Sequence, residues 1–167
     1  MKYVDPSGYT KCKTDAVQGT ELPVEGESNG AEVEAKTNKL LVTEGDVGTY
    51  KYLKDIGKIG DNITPHHVPS KKYMKQHGIT MNDRICINME QPSPGKGGRH
   101  RLTKTYGRNM ANIEKSVYYN LDPRDVLAFD IKNLRKIYIE QGLYTPEVRK
   151  GLMDAIKLNK ELYPELF

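Results

Sequence analysis

The chain has 167 residues and a mass of 18.9 kDa, with 26 Lys and Arg against 22 Asp and Glu for a formal net charge of +4. That length suits one domain, and a share of 37% apolar residues with no Trp implies a modest core built on Leu, Ile, Val and Tyr. No stretch approaches the ~20 apolar residues of a membrane span, and no apolar run follows Met1-Lys2, so export would depend on something outside this sequence. Cys12 and Cys86 are far apart and lie in no C-x-x-C pattern, which argues against a disulfide framework or a zinc knuckle and leaves Cys86 as a small buried thiol.

Residues 1–35 are rich in Gly, Glu, Ser, Thr and Pro with little periodicity, and they read as a flexible acidic linker ahead of a domain at 36–167. Leu40-Leu-Val-Thr43 is a short strand-type run, and Val47 to Tyr52 fits either a strand or a turn of helix. Asn62–Val68 can be extended, but Pro65 and Pro69 confine it to a sheet edge or an irregular arm. Lys71–His77 is expected to be a short helix, capped by Ser70 and stopped by Gly78. Arg84-Ile-Cys-Ile-Asn-Met89 is the clearest strand, and Gln91–Gly98, dense in Pro and Gly, must be a loop. A helix is expected to begin near Arg99. Farther on, Asp122-Pro123 and Thr145-Pro146 are helix starts, with apolar stripes at Leu127, Ile131, Leu134 and Tyr138 and at Val148, Leu152 and Ile156. These elements define an α+β fold: a small two-stranded ββα core with additional C-terminal helices and a flexible N-terminal segment.

The chemistry concentrates in the middle. Residues 1–60 carry eight basic against ten acidic side chains, whereas residues 61–120 carry ten against four. Within that basic segment lie Ile63-Thr-Pro-His-His-Val-Pro-Ser70 and Gly97-Gly-Arg-His100, which hold three of the four histidines. A His-His pair between prolines suits a site better than a core, because imidazole is both a metal ligand and a near-neutral base. Phosphodiester hydrolysis needs a positioned base and a cation where charge accumulates, and His66, His67 and His100 can supply them. Strand alternation sends His66 and His67 to opposite faces, so the prolines would have to twist the segment for both to converge. If Arg99–Tyr106 is helical, His100, Thr103 and Lys104 share a face. Asn88 and Asn109 are candidate ligands or orienters, and Asn109 joins His66 and His100 in the candidate metal set. Glu90 is a weaker candidate, His77 reads as surface decoration and Tyr106 as a packing residue. Lys96, Arg99, Arg101, Lys104 and Arg108 form a run without an intervening acid, either a solvated face or a track for a phosphate backbone.

Ile63–Ser70 taken together with Gly97–His100 resembles the HNH/endonuclease VII (ββα-metal, His-Me finger) superfamily, in its bacterial polymorphic-toxin branches. The resemblance covers roughly residues 60–112. It implies a strand bearing the catalytic pair, a second strand, and a helix bearing the remaining ligands. His67 would then be the general base, His66 a ligand of a divalent ion, and His100 a second ligand or a phosphate contact. Two departures stand out: Lys71–Asp83 would be an insertion relative to compact HNH motifs, and Lys104 occupies the place of a ligand His four residues after His100, which leaves the last ligand open. Tyr3-Val-Asp-Pro-Ser-Gly-Tyr9 also resembles the Asp-Pro-x-Gly junction that closes the shell of Rhs-repeat proteins, although Pro-Ser-Gly is an ordinary turn as well.

Together these resemblances imply a metal-dependent DNase toxin domain of a secreted Rhs-type effector that acts in the cytoplasm of a target cell, delivered for example by type VI secretion. The implied cofactor is a divalent ion, Mg2+ ahead of Zn2+, Mn2+ or Ni2+. The implied partners are DNA, the parent Rhs shell protein and a cognate immunity protein with an acidic surface, with no membrane. Two rival readings remain: a metal-independent RNase using His67 and His100, and a non-catalytic basic module that binds nucleic acid or protein.

Overall fold

The computed structural model describes residues 39–92 and 97–167. The expected linker at 1–35, the Rhs-like junction, Cys12 and Lys96 lie outside the described residues. What is described is α+β: a three-stranded antiparallel sheet and five α-helices. No helix among the described residues is long and apolar enough to cross a membrane.

Strands β1 (Val47–Thr49), β2 (Ile63–His67) and β3 (Ile85–Glu90) form the sheet in the order β1-β3-β2. The most hydrophobic strand is therefore the central one, buried on both faces along Ile85–Met89. Pro65, which has no N–H to donate, sits on the edge strand β2 opposite Asn88. The register sets His66 opposite Ile87 and His67 opposite Cys86.

Around the sheet run α1 (Tyr50–Ile56), α2 (Lys71–Gln76), α3 (Asn112–Asn120), α4 (Pro123–Glu140) and α5 (Pro146–Leu162). Ser70 caps α2 by accepting from the Tyr73 amide, and Thr145 caps α5 by accepting from the Val148 amide. Val47 to Tyr52 turns out to be both alternatives at once, a strand that passes into a helix capped by Thr49. Leu41–Glu44 is a turn rather than the expected strand, because Thr43 and Gly45 adopt φ of 68° and 94° and break any extended run. The expected third element of a ββα unit is also different: Arg99–Leu102 is a single 3-10 turn, not a helix. Thr103 donates its hydroxyl to the His100 carbonyl, and Asn109 donates to the carbonyls of Arg101 and Thr103. Side chains thus satisfy acceptors that a continuing helix would use.

Three polar anchors fix the chain on either side of the imidazoles. Asn159 of α5 donates to the Val68 carbonyl at 2.9 Å, just past β2. Asp130 of α4 accepts from the Ser70 amide at 3.1 Å and from the Tyr118 hydroxyl at 2.7 Å. Glu44 accepts from both Arg99 Nε and Nη2, at 2.5 and 2.6 Å, and from the Tyr138 hydroxyl at 3.0 Å.

Candidate active site

His66 and His100 meet edge to face, with ring centroids 5.0 Å apart. These two residues are 34 positions apart in sequence and are brought together by the loop that returns from β3. Tyr106 packs edge-on against the other side of His100, 5.1 Å between centroids. His66 is only 6% exposed, while His67 and His100 are partly exposed. Of the edge-to-face pair, His66 is thus the enclosed ring and His100 the accessible one.

His67 turns the other way, as strand alternation dictates. Its ring stacks on Tyr50 with centroids 5.2 Å apart, and its Nδ1 lies 3.1 Å from the Cys86 Sγ. The Cys86 Sγ also lies 3.6 Å from the Arg84 carbonyl; when the thiol proton is placed there, the sulfur can accept from His67 Nδ1–H. That arrangement leaves the lone pair on His67 Nε2. His100 has the same polarity: its Nδ1–H donates to the Gln91 side-chain oxygen, and Nε2 keeps its lone pair.

Electrostatics hold all three imidazoles neutral. Burial, then the neighbouring His100 and His67, holds His66 well below the ordinary imidazole range. His67 is pushed down to about 4 by burial, then by the charges of Arg84 and Lys71 and by His100. His100 is pushed down to about 4 by burial and by Arg101. At neutral pH each ring therefore offers an unprotonated nitrogen. Burial pushes the Cys86 thiol up, so it acts as a hydrogen-bonding partner rather than a nucleophile.

Two neutral imidazoles facing one another suit a first-row transition ion better than Mg2+, which prefers oxygen donors. Among the described residues no group of three or more His, Cys, Asp or Glu side chains is arranged to hold a metal. The protein can thus contribute His66 and His100, with the remaining positions falling to water and substrate oxygens. Asn109, the third candidate ligand, is exposed and has its amide N–H groups on the Arg101 and Thr103 carbonyls. Asn88 is 3% exposed, and its side-chain oxygen has no hydrogen-bond partner.

The basic run divides. Arg99 is corrected: it is 2% exposed, is paired with Glu44 at 2.5 Å and Glu90 at 3.3 Å, and cannot reach a phosphate. Glu90 is accordingly half of this ion pair. Arg101 lies over the Tyr106 ring, 5.5 Å from its centroid, and its buried Nε has no partner. Lys104 forms an exposed ion pair with Glu114 at 3.3 Å, and Arg108 is exposed.

Three residues carry weight that the sequence pattern did not reveal. Arg84 is a buried guanidinium beside His67; its Nε and Nη2 donate to the Ile79 carbonyl, and no carboxylate pairs with it among the described residues. Cys86 and Gln91 each hydrogen-bond the Nδ1 of an imidazole, and the Gln91 oxygen, an acceptor only, sets the tautomer of His100. A strand register for β2 and β3 would have pointed to Cys86; nothing local marked Arg84 or Gln91. No family model, no curated protein and no solved structure matches this chain.

Proposed function

We propose that the chain is a metal-assisted endonuclease domain of the HNH/endonuclease VII kind, acting on DNA as the toxin tip of a secreted Rhs-type effector. The observation that carries this reading is the edge-to-face pair of neutral rings, His66 and His100, with the part-exposed His67 next along β2 on the opposite face of the strand. His67 takes the proton of the attacking water. An incoming phosphodiester brings negative charge next to its ring and raises the basicity that burial and Arg84 depress. His66 and His100 would hold a divalent ion, which when bound would polarise the phosphoryl oxygen and offset charge on the leaving group. Arg101, beside His100, and Lys104 with Arg108 on the same connecting segment receive the backbone phosphates. The producing cell would need an immunity partner, and an acidic surface on it would complement these cations.

The metal-free RNase alternative requires one of His67 and His100 to be protonated as an acid while the other is a base. Both rings are pushed down to about 4, which favours two neutral imidazoles at neutral pH and weakens that alternative.

The test is plasmid nicking with and without EDTA, followed by re-addition of Mg2+, Mn2+, Zn2+ or Ni2+ in turn. His67→Ala should lower the rate by ~10²–10⁴ while circular dichroism shows the fold retained. Cleavage of RNA alone, indifferent to chelator, would overturn the reading.

A further inference from the structure

A cleft of about 300 Å³ is lined by Ser70, Lys71, Lys72 and Lys75 from the start of α2 and by Thr105 and Tyr119. Its first wall begins three residues after His67, and Lys71 is one of the charges that depress the His67 ring. Its second wall adjoins Tyr106, whose ring packs on His100. The cleft is thus built from the chain segments that follow His67 and His100.

Among the described residues, unpaired lysines also occur on the other helices, at Lys54, Lys115, Lys132 and Lys160; what is particular to α2 is three of them with no acidic residue on the helix. Lys51, Lys136, Lys150 and Lys157 each form an ion pair with a carboxylate four residues later. Helix α2 contains no acidic residue, and Lys71, Lys72 and Lys75 have no ion-pair partner among the described residues. Lys75 is the helix-surface neighbour of both Lys71 and Lys72, and these like charges repel one another. An anion in the cleft relieves that repulsion. Lys72 Nζ also lies 4.2 Å over the Tyr119 ring, which holds one ammonium at the wall. Hydroxyls at Ser70 and Thr105 line the same space.

We propose that this cleft is a second phosphate-binding subsite, which seats the backbone of the substrate strand. This proposal rests on the nuclease reading above and names how the strand is held. A polyanion crossing here neutralises Lys71, Lys72 and Lys75 together and is kept in register with the base.

The full chain carrying Lys72→Gln and Lys75→Gln tests it, with Lys71 retained because of its proximity to His67. Fluorescence anisotropy of a labelled DNA duplex, measured in EDTA across a salt series, should give a log K against log[salt] slope shallower by about 1.8, the release expected for two lost contacts. A control that removes the same charge from α5, Lys150→Gln with Lys157→Gln, should leave the slope at its wild-type value. An unchanged slope in the cleft variant, or an equal change in the control, overturns the subsite. In cleavage, the variant should lose kcat/KM on plasmid and keep wild-type hydrolysis of bis(p-nitrophenyl) phosphate, which has no flanking phosphates. Equal loss on both substrates would overturn the subsite by assigning the lysines to the chemistry or the fold. Should wild type cleave neither substrate, the nuclease reading fails, and the binding arm still decides whether the cleft seats a nucleic-acid backbone. A variant that lost affinity only for an acidic protein partner would show the wild-type DNA slope and so overturn the proposal.

Discussion

Cys86 and His67 face one another across the β2–β3 ladder, which puts the thiol within hydrogen-bonding reach of the ring's Nδ1 and orients the imidazole. Replacing the thiol with a group that cannot accept from Nδ1–H frees the ring to rotate or change tautomer. Cys86→Ala should therefore lower kcat by about 10–100-fold with KM little changed, the size of effect typical of groups that orient a functional imidazole. Cys86→Ser keeps an acceptor for Nδ1 and a donor for the Arg84 carbonyl, and it should recover most of the rate. Steady-state kinetics on plasmid, with thermal melts to confirm folding, separates this role from packing; equal rates for both variants would show that Cys86 only fills space. Sequence alone identified Cys86 as buried, which it is. Its bond to His67 depends on strand register, which is a property of the pair of strands rather than of either residue.

At the scale of elements, the two short histidine segments are assembled by what surrounds them. Ser70, Gly78, Thr145 and Gly142 mark the helix ends where local rules place them, because capping and left-handed turns are set by neighbouring residues. The segment after Gly98 defeats that logic. Its cationic run resembles a helix, yet Arg99 is drawn inward by Glu44, 55 positions earlier, and the chain makes one 3-10 turn instead. Helix α5 shows the same priority of packing over propensity at Gly151. A Cβ there would come within 2.1 Å of the Gly45 carbonyl oxygen. Helix propensity favours Gly151→Ala by roughly 1 kcal/mol, but the clash with backbone should dominate and destabilise the fold by about 1–3 kcal/mol. Urea unfolding measures the balance; a raised midpoint would mean that α5 can retreat from the Gly45 turn.

For the whole molecule, buried titratable groups oppose one another as pH changes. Asp130, 3% exposed, is pushed up to about 7 by burial, against which Tyr118 and the Ser70 amide work. The folded state then holds a proton that the unfolded chain releases near pH 4, so this contribution is full below about pH 4 and is lost as pH rises to about 7. His66, His67 and His100 act in the opposite sense: the unfolded chain gains protons below about pH 6.5 that the native rings refuse until about pH 4 for His67 and His100. Stability should therefore fall as pH drops from 6.5 towards 4, with Asp130 blunting the loss. Asp130→Asn keeps an acceptor for Ser70 and Tyr118 but cannot titrate. Its stability relative to wild type should rise with pH between 4 and 7, by at most about 1.4 kcal/mol per unit. Denaturant midpoints measured in EDTA across that range test the sign, and a flat difference would place the Asp130 proton elsewhere.

Composition, proline positions and caps were enough to determine an α+β chain with a strand over residues 84–89, a proline-bearing segment confined to an edge or an arm, and long C-terminal helices, because periodicity, missing N–H groups and capping act over a few residues. That a third strand makes β3 the central one came only from the sheet. Local pattern also drew attention to His66, His67 and His100. Only the tertiary structure decided that His66 meets His100 while His67 faces Cys86, and that Arg99 is a buried strut. Each of those outcomes depends on groups distant in sequence sharing a low-dielectric space, where burial and partner geometry outweigh what any single segment prefers.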